Sequence, residues 1–270
     1  MVKIGIIGTG SMGGMLIRKF VETGAVAAGD IIASNRSRDK LEAIVRRTGI
    51  RAGSDNREVV NASGIVFLCV KPLDVRGVLK EVGGFLTPDK LLVSIAGEVS
   101  IRGLRDLSRA RVARVIPSIT SELSMGVSLV SFSDSTTSVD RELLPGLLRS
   151  IGRPVVVEEK DLDVLTDLTS CAPAFISSLM EELALTASRK HGISPELTGL
   201  LVKETLGGTA GLLADGLSFE TIVERVATKG GITEEGVKVI KKEAPPLYDH
   251  LLEATGAKRK LVEEKIRGQK

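Results

Sequence analysis

Hydrophobic positions in the first half of the chain fall into short apolar runs separated by longer amphipathic stretches. The short runs are rich in β-branched residues and do not alternate with polar ones, which predicts strands buried on both faces. The predicted strands are Lys3–Ile7, Ile31–Ser34, Ile65–Val70, Leu91–Ile95, Ala113–Ile116, Val127–Ser131 and Pro154–Val157. The amphipathic stretches predict helices near Met12–Thr23, Arg38–Arg47, Arg57–Asn61, Val75–Val82 and Arg141–Ser150. Strands that alternate with helices indicate a parallel sheet covered on both faces.

The pattern changes after Glu158. From Asp161 onward the sequence predicts no strand, only long helical patterns with interruptions at glycine and proline. These interruptions lie at Pro173, Gly192–Pro195, Gly216, Gly230–Gly231 and Pro245–Pro246. We therefore predict an α/β fold with two domains: a doubly wound sheet in residues 1–158 and an all-helical domain in residues 159–270.

Two helices of the second domain are apolar or small on nearly all sides. They are predicted over Pro173–Lys190 and Glu196–Ala214. A helix without a polar face must be covered on every side, and a helical domain of this size has limited means to do so alone. The sequence thus predicts a homodimer or a larger homo-oligomer that associates through the helical domain.

Composition narrows the function classes. Hydrophobic residues make up 43% of the chain, but aromatic residues only 3%, so an aromatic platform for nucleic-acid bases is not expected. The net charge is +3, but the last fourteen residues, with six Lys or Arg and two Glu, carry +4, so the rest of the chain sums to about −1 and we expect no nucleic-acid partner. Two distant cysteines and two histidines predict neither a disulfide framework nor a metal site. With no signal peptide and no long apolar run, we expect a cytoplasmic protein without a membrane partner.

The first predicted strand leads into Gly8-Thr9-Gly10-Ser11-Met12-Gly13 and then a helix. This is the G-x-G-x-x-G fingerprint of a Rossmann-type dinucleotide site in its required strand–turn–helix context. Gly8 permits the tight turn, Gly10 lets the backbone approach the pyrophosphate, and Gly13 permits close contact of helix and strand. The sequence predicts that a dinucleotide binds here; the alternative is a tight turn that binds nothing.

The end of the second predicted strand indicates which dinucleotide binds. Sites for NAD usually place Asp or Glu here, on the ribose 2′-hydroxyl. This chain has Asn35-Arg36-Ser37 instead, and a guanidinium beside a hydroxyl and an amide suits a 2′-phosphate. The predicted cofactor is therefore NADP(H). In an alternative interpretation, the segment serves only to cap the next helix, with Ser37 as its N-cap.

Further motifs follow the predicted strands and continue into the helical domain. Their order is G-x-G-x-M-G, N-R-S, D-N-R-E, V-K-P, S-I-A, R-V-I-P, P-A-F and G-G-x-T. In this order and spacing, nearly the whole chain resembles the pyrroline-5-carboxylate reductase family. The resemblance implies reduction of 1-pyrroline-5-carboxylate to proline with a nicotinamide cofactor.

The resemblance also implies site residues. The cofactor phosphates would be held by Gly8, Thr9, Gly10, Ser11 and Met12. The 2′-phosphate would be held by Asn35, Arg36 and Ser37, with Asn56 nearby. The nicotinamide half would be lined by Val70, Lys71 and Pro72, with Ala96. The loop Lys229-Gly230-Gly231-Ile232-Thr233 would bind the substrate, its backbone amides receiving the carboxylate. Thr233 would be the catalytic residue, as hydrogen-bond partner of the imine nitrogen. The alternative makes Thr233 the N-cap of the following helix.

Three segments depart from the family pattern. Where the family commonly has Met-Pro-Asn-Thr-Pro, this chain has Ile116-Pro117-Ser118-Ile119-Thr120. A segment that is commonly rich in glycine and serine is here Ser170-Cys171-Ala172. In the substrate loop, the common Pro and Thr are replaced by Lys229 and Ile232. In these features the chain is most similar to the ComER-like branch found with bacterial late-competence genes. Two alternatives therefore stand beside the main prediction: a reductase of another cyclic imino acid, and a regulatory protein that binds NADP(H) without turnover.

Overall fold

The computed structural model describes residues 3–268. Contacts divide the chain into two units, one holding the residues up to Cys171 together with those from Gly256 onward, the other Ala172–Thr255. We refer to them as the sheet unit and the helical unit. The domain limits predicted from sequence, at residue 158, stay a prediction.

The sheet unit contains eight strands in the order β3-β2-β1-β4-β5-β6-β7-β8. Their bounds are β1 Ile4–Ile7, β2 Ile31–Ser34, β3 Arg51–Ala52, β4 Ile65–Leu68, β5 Leu91–Ser94, β6 Arg111–Ile116, β7 Gly126–Phe132 and β8 Gly152–Val156. Neighbours are parallel except β6 and β7, which pair antiparallel. A short connection without a crossover helix joins these two strands, and such a connection suits an antiparallel pair.

Eleven α-helices occur in the described chain. Their bounds are α1 Ser11–Glu22, α2 Arg38–Thr48, α3 Asn56–Asn61, α4 Pro72–Val82, α5 Ile101–Arg105, α6 Ser138–Leu148, α7 Leu162–Thr166, α8 Ala172–His191, α9 Pro195–Ala214, α10 Phe219–Val226 and α11 Ile232–Arg267. A π-helix, Asp167–Cys171, joins α7 to α8. The predicted doubly wound α/β fold followed by a helical region is confirmed.

Alternate residues of each central strand enter two hydrophobic cores on opposite faces of the sheet. Ile6 and Phe67 lie in the core on the α1 side, where Phe67 contacts the ring of Phe20 with centroids 5.8 Å apart. Ile7 and Leu68 lie in the other core, with residues of α3 and α4. This two-sided burial explains why the strands contain uninterrupted apolar runs.

Within the helical unit, two long helices follow each other through a turn at Gly192, whose φ of 67° favours glycine. Of residues 172–255, only Ala184 and Thr198 are buried. Helix α11 passes through Pro245 and Pro246 without a break, so the interruption predicted there is wrong. Both prolines are exposed, which allows water to reach the carbonyls they leave without an amide partner.

Candidate functional site

Four strand ends place the predicted cofactor residues along one edge of the sheet. Ile7 is in register with Ser34 on one side and with Leu68 on the other, and Leu68 is in register with Ser94. The segments that follow these four residues are therefore neighbours: 8–13, 35–37, 69–72 and 95–96. In an open α/β sheet, ligands bind at the carboxyl ends of the strands where the strand order reverses, here between β1 and β4.

The three fingerprint glycines have different surroundings. Gly8 has a φ of 98°, and a Cβ there would lie 2.5 Å from the Cys69 carbonyl oxygen. A Cβ on Gly13 would lie 2.0 Å from the Gly8 oxygen. A Cβ on Gly10, in contrast, would meet no atom within 4 Å. Gly8 and Gly13 are thus required by the fold itself, while the space beside Gly10 is open to a ligand.

Asn35 connects the fingerprint turn to the start of α2. Its Oδ1 accepts from the Thr9 amide at 3.0 Å, and its Nδ2 donates to the Ser37 carbonyl at 2.9 Å. Thr9 is buried, and its hydroxyl oxygen has no hydrogen-bond partner among residues 3–268. Asn35 therefore shapes the turn, and the Thr9 hydroxyl beside it has no partner of its own among the described residues.

Arg36 and Ser37 remain available at this edge. Arg36 is exposed and, across the described chain, forms no salt bridge, whereas nearby Arg38 pairs with Glu42 at 3.1 Å. Ser37 occupies the N-cap position of α2, but its side chain makes no capping hydrogen bond. Capping therefore does not account for the Ser37 hydroxyl.

Asn56 belongs to a hydrogen-bonded chain that the sequence did not indicate. Its Oδ1 accepts from the Ser34 hydroxyl at 2.7 Å, and its Nδ2 donates to Glu81 Oε2 at 2.8 Å. Glu81 lies on α4, and only the tertiary fold brings it to Asn56. These two bonds fix the orientation of the Asn56 amide beside the end of β2.

The loops after β4 and β5 carry the residues predicted at the nicotinamide half. Val70 and Pro72 are half-buried, Lys71 is exposed, and Ala96 is buried. Between them and the fingerprint, burial raises the pKa of the Cys69 thiol, which keeps it protonated and unreactive. Cys69 is therefore a structural residue beneath the turn.

Arg114 fixes the backbone beyond Ala96. This buried arginine donates to Glu159 Oε1 at 2.8 Å and to the Gly97 carbonyl oxygen. Glu159 also accepts from the Ile101 amide at 2.7 Å, which holds the start of α5. A cavity of about 810 Å³ lies here, lined by Pro72, Gly97 and Arg114 among others, but by none of the fingerprint residues.

Two of the segments that depart from the family pattern contact each other. Ser118 is buried and donates to the Thr169 carbonyl at 3.2 Å, and Ser170 donates to the Pro117 carbonyl at 2.8 Å. The serines thus tie the loop after β6 to the π-helix.

The predicted substrate loop lies wholly within the helical unit. Gly230 has a φ of 75°, and a Cβ on Gly231 would lie 2.7 Å from Thr228 Oγ1. Helix α11 begins at Ile232, so Thr233 lies inside its first turn, and the alternative interpretation of Thr233 as N-cap is wrong. Thr233 is exposed, and its hydroxyl has no hydrogen-bond partner in the described part of the chain.

Two loop amides already have acceptors. The Gly231 amide donates to the Thr228 carbonyl at 2.9 Å, and the Gly230 amide donates to Glu234 Oε2 at 2.8 Å. The amides of Ile232 and Thr233 begin α11 and have no acceptor within the helix. The loop therefore offers two amides and one hydroxyl directly, while the Gly230 amide is held by a carboxylate.

Residues 3–268 contain no cluster of three or more His, Cys, Asp or Glu side chains that could bind a metal ion. No helix in those residues is both long enough and apolar enough to cross a membrane.

Comparisons with known proteins cover both units. Residues 3–98 match the family model described as NADP oxidoreductase coenzyme F420-dependent, and residues 159–261 match the pyrroline-5-carboxylate reductase dimerisation model. The chain is 35% identical over 268 residues to pyrroline-5-carboxylate reductase 3 of Bacillus subtilis, covering 98% of each. It is 33% identical to ComE operon protein 4 of the same organism, covering 95% of each. A pyrroline-5-carboxylate reductase structure from Coxiella burnetii is similar with a TM-score of 0.88 at 25% identity, covering 96% of this chain and 97% of that one.

Proposed function

The chain belongs to the pyrroline-5-carboxylate reductase family, and on that premise we propose that it reduces the C=N bond of 1-pyrroline-5-carboxylate to give proline, with NADPH as reductant. The observation that carries this proposal is the similarity to a reductase of that name over 98% of both chains. The dinucleotide turn lies in the sheet unit and the glycine loop in the helical unit, and the local geometry of each supports the proposal.

The cofactor residues fit NADPH. The open space beside Gly10 accepts a pyrophosphate, because only a missing side chain lets the backbone approach so closely. The buried, unpartnered Thr9 hydroxyl supplies a donor to the same group. Arg36, without an ion pair among the described residues, and Ser37, without a capping bond, suit the 2′-phosphate.

The chain's own contribution to the reaction is positioning. When bound, NADPH supplies the hydride that adds to the imine carbon, and a proton on the ring nitrogen completes the product. The free amides of Ile232 and Thr233 hold the substrate carboxylate at the positive end of α11. The Thr233 hydroxyl then meets the ring nitrogen, and the exposed Lys229 attracts the carboxylate. Because a protonated imine is already electrophilic, the reaction needs no further side-chain acid.

The match of residues 159–261 to a dimerisation model supports homo-oligomerisation, and we propose a homodimer or a larger assembly joined through the helical unit. The ligand is a small cyclic imino acid, and we propose no nucleic-acid partner. The two cysteines are free thiols, which supports a reducing cytoplasm as the location.

A second candidate rests on the similarity to ComE operon protein 4. In this reading the chain binds NADP(H) as a regulatory protein and does not turn over a substrate. The departures from the reductase pattern at Ser118 and Ser170 favour the regulatory candidate. Both hydroxyls donate to backbone carbonyls, Ser118 to that of Thr169 and Ser170 to that of Pro117.

The deciding experiment follows NADPH oxidation by the purified protein with and without pyrroline-5-carboxylate. The reductase proposal predicts oxidation only with the imine and formation of one proline per NADPH consumed. Activity confined to the six-membered homologue would instead support a different cyclic imino acid as substrate. NADPH binding without reduction of either imine would support the regulatory candidate.

A further inference from the structure

The Gly230 amide donates to a side chain of the helix that follows it, α11. Glu234 Oε2 accepts from it at 2.8 Å, reaching back over the first turn of α11. The same oxygen lies 3.7 Å from Lys238 Nζ, which itself bonds to Glu235 Oε1 at 2.7 Å. The carboxylate therefore occupies an anion position at the start of the helix, where the macrodipole favours negative charge.

This carboxylate occupies one amide of the loop proposed to bind the substrate carboxylate. Gly230 lies two residues before Ile232, the first residue of α11, so a substrate carboxylate on the amides of Ile232 and Thr233 would be bound next to the segment that Glu234 occupies. The substrate carboxylate and the Glu234 carboxylate would repel each other on neighbouring amides of one loop, and the Gly230 amide has one hydrogen to donate. The Glu234 side chain is 33% exposed, so water is available to it when it leaves the amide.

We propose that Glu234 is a specificity-determining residue: its carboxylate competes with the carboxylate of the substrate for the glycine loop and is displaced when the substrate binds. The inference rests on the proposed function for the identity of the substrate. Glu234 weakens the binding of imines that carry a carboxylate, leaves the binding of neutral imines unchanged and takes no part in the reaction, so it lowers the preference of the loop for carboxylated imines.

Two substitutions test the competition. Glu234→Ala removes the competing group, and Glu234→Gln removes its charge but keeps an acceptor. We expect both to lower KM for pyrroline-5-carboxylate, Glu234→Ala by about 2- to 10-fold and Glu234→Gln by less, with kcat unchanged. Glu235→Ala is the matched control, since Glu235 bonds to Lys238 and not to the loop, and its KM should equal that of the wild type.

A substrate without a carboxylate distinguishes competition between the two carboxylates from a general loosening of the loop in the variant. 1-Pyrroline lacks the carboxylate, so its KM should be equal in the wild type and in Glu234→Ala. An equal fall in KM for both imines would show that the substitution only loosens the loop and would overturn the proposal. So would an unchanged or raised KM for pyrroline-5-carboxylate.

A binding measurement keeps this inference separate from the proposed function. Cyclopentanecarboxylate has the ring and the carboxylate but no C=N bond, and cyclopentanecarboxamide is its neutral counterpart. By calorimetry on the NADP⁺-loaded protein, the acid should bind Glu234→Ala about 2- to 10-fold more tightly than the wild type, and the amide should bind both equally. This result supports the inference even if no imine is reduced, in which case the reductase proposal alone fails. Equal binding of the acid to all variants, or binding to none, overturns the inference.

Discussion

At the scale of single residues, Gly10 and Gly13 lie in the same turn but lack a side chain for opposite reasons. A methyl group on Gly13 would overlap the Gly8 oxygen, whereas one on Gly10 would enter empty space. We expect Gly13→Ala to lower the free energy of unfolding by about 2 kcal/mol or more. Gly10→Ala should melt like the wild type, because its φ of −69° suits alanine, but bind NADPH at least about 10-fold more weakly. Thermal melting and NADPH titration of both variants measure these effects; wild-type NADPH affinity in Gly10→Ala would contradict binding at this turn.

Arg36 carries the predicted preference for NADPH over NADH. A charge-assisted contact of a guanidinium with a phosphate contributes roughly 1.5–3 kcal/mol, or about 10- to 150-fold in affinity. Arg36→Ala should therefore raise the NADPH dissociation constant by that factor and leave the NADH constant unchanged. Arg46→Ala is the control, because Arg46 lies at the far end of α2 and pairs with Glu42. Equal losses for both cofactors by calorimetry would count against a 2′-phosphate contact.

Thr233 is the residue most directly tied to turnover. Thr233→Val keeps the shape of the side chain and removes the hydroxyl, so kcat/KM for pyrroline-5-carboxylate should fall by about 5- to 150-fold, or about 1–3 kcal/mol. Because Thr233 lies inside α11 and its hydroxyl has no partner in residues 3–268, the melting temperature should not change. Kinetics and melting on one sample test both statements. A loss of stability with unchanged kcat/KM would assign Thr233 a structural role instead.

At the scale of elements, the hydrophobic pattern predicted the buried strands and the amphipathic helices and missed β3 and α5. The strand at Ile31–Ser34 has its predicted bounds, because a fully buried strand has an unbroken apolar sequence. The two-residue β3 and the five-residue α5 were not predicted, since neither is long enough to show a period. The antiparallel pairing of β7 was also missed, because strand direction depends on the connection and not on the strand's own residues.

Helix α6 begins with a capping box that also contains an ion pair. Thr137 accepts from the Asp140 amide, and the Asp140 carboxylate accepts from Thr137 and from Arg111 at 2.6 and 3.0 Å. Burial by itself raises the pKa of Asp140, but the bonds from Arg111 and Thr137 outweigh it and hold this pKa below its ordinary value. The unfolded chain therefore takes up this proton at a higher pH than the folded protein.

This shift has a defined consequence for acid stability. The stabilisation from Asp140 is present above about pH 4 and is lost as the pH falls through its folded pKa. Asp140→Asn should lower the free energy of unfolding by about 1–3 kcal/mol at pH 7. Its urea unfolding curves should approach those of the wild type as the pH falls below 4. Asp134 is exposed, so Asp134→Asn is the control, and its free energy of unfolding should differ little from that of the wild type at pH 7 and below pH 4. A difference that stays constant down to pH 2 would exclude a role for the Asp140 charge.

At the scale of the whole molecule, the order of motifs was enough to predict the family, which the full-length similarity confirms. Contacts between distant residues could not be predicted in the same way. The last part of α11 belongs to the sheet unit, where Arg259 forms an ion pair with the buried Asp167 and Ile266 contacts a sheet core. Nothing in the periodicity of α11 distinguishes that end from the rest. The Gly230–Glu234 bond is local, yet the sequence does not predict it, because the bond depends on the conformation of the loop before α11.

The helical unit leaves most of its large apolar side chains in contact with solvent. Of residues 172–255 only Ala184 and Thr198 are buried, although the long helices contain many leucines. A single copy of this unit therefore does not cover its own apolar surface, and a second copy offers a surface of the same composition. The leucines of α9 that are about half exposed are Leu197, Leu200, Leu201 and Leu212.

Light scattering at micromolar concentration should therefore give at least the mass of a dimer. Leu200→Glu places a charge where we expect a buried leucine, and losing that burial alone costs about 1.5–3 kcal/mol. The dissociation constant of the oligomer should rise by at least about 10- to 100-fold, which sedimentation across a concentration series would measure. Glu204→Gln, an exposed polar change on the same helix, is the control and should leave assembly unchanged. A wild-type monomer, or a Leu200→Glu variant that assembles like the wild type, would exclude an interface on this face of α9. NADPH affinity should be unaffected by Leu200→Glu, since every residue proposed to bind the cofactor lies in the sheet unit.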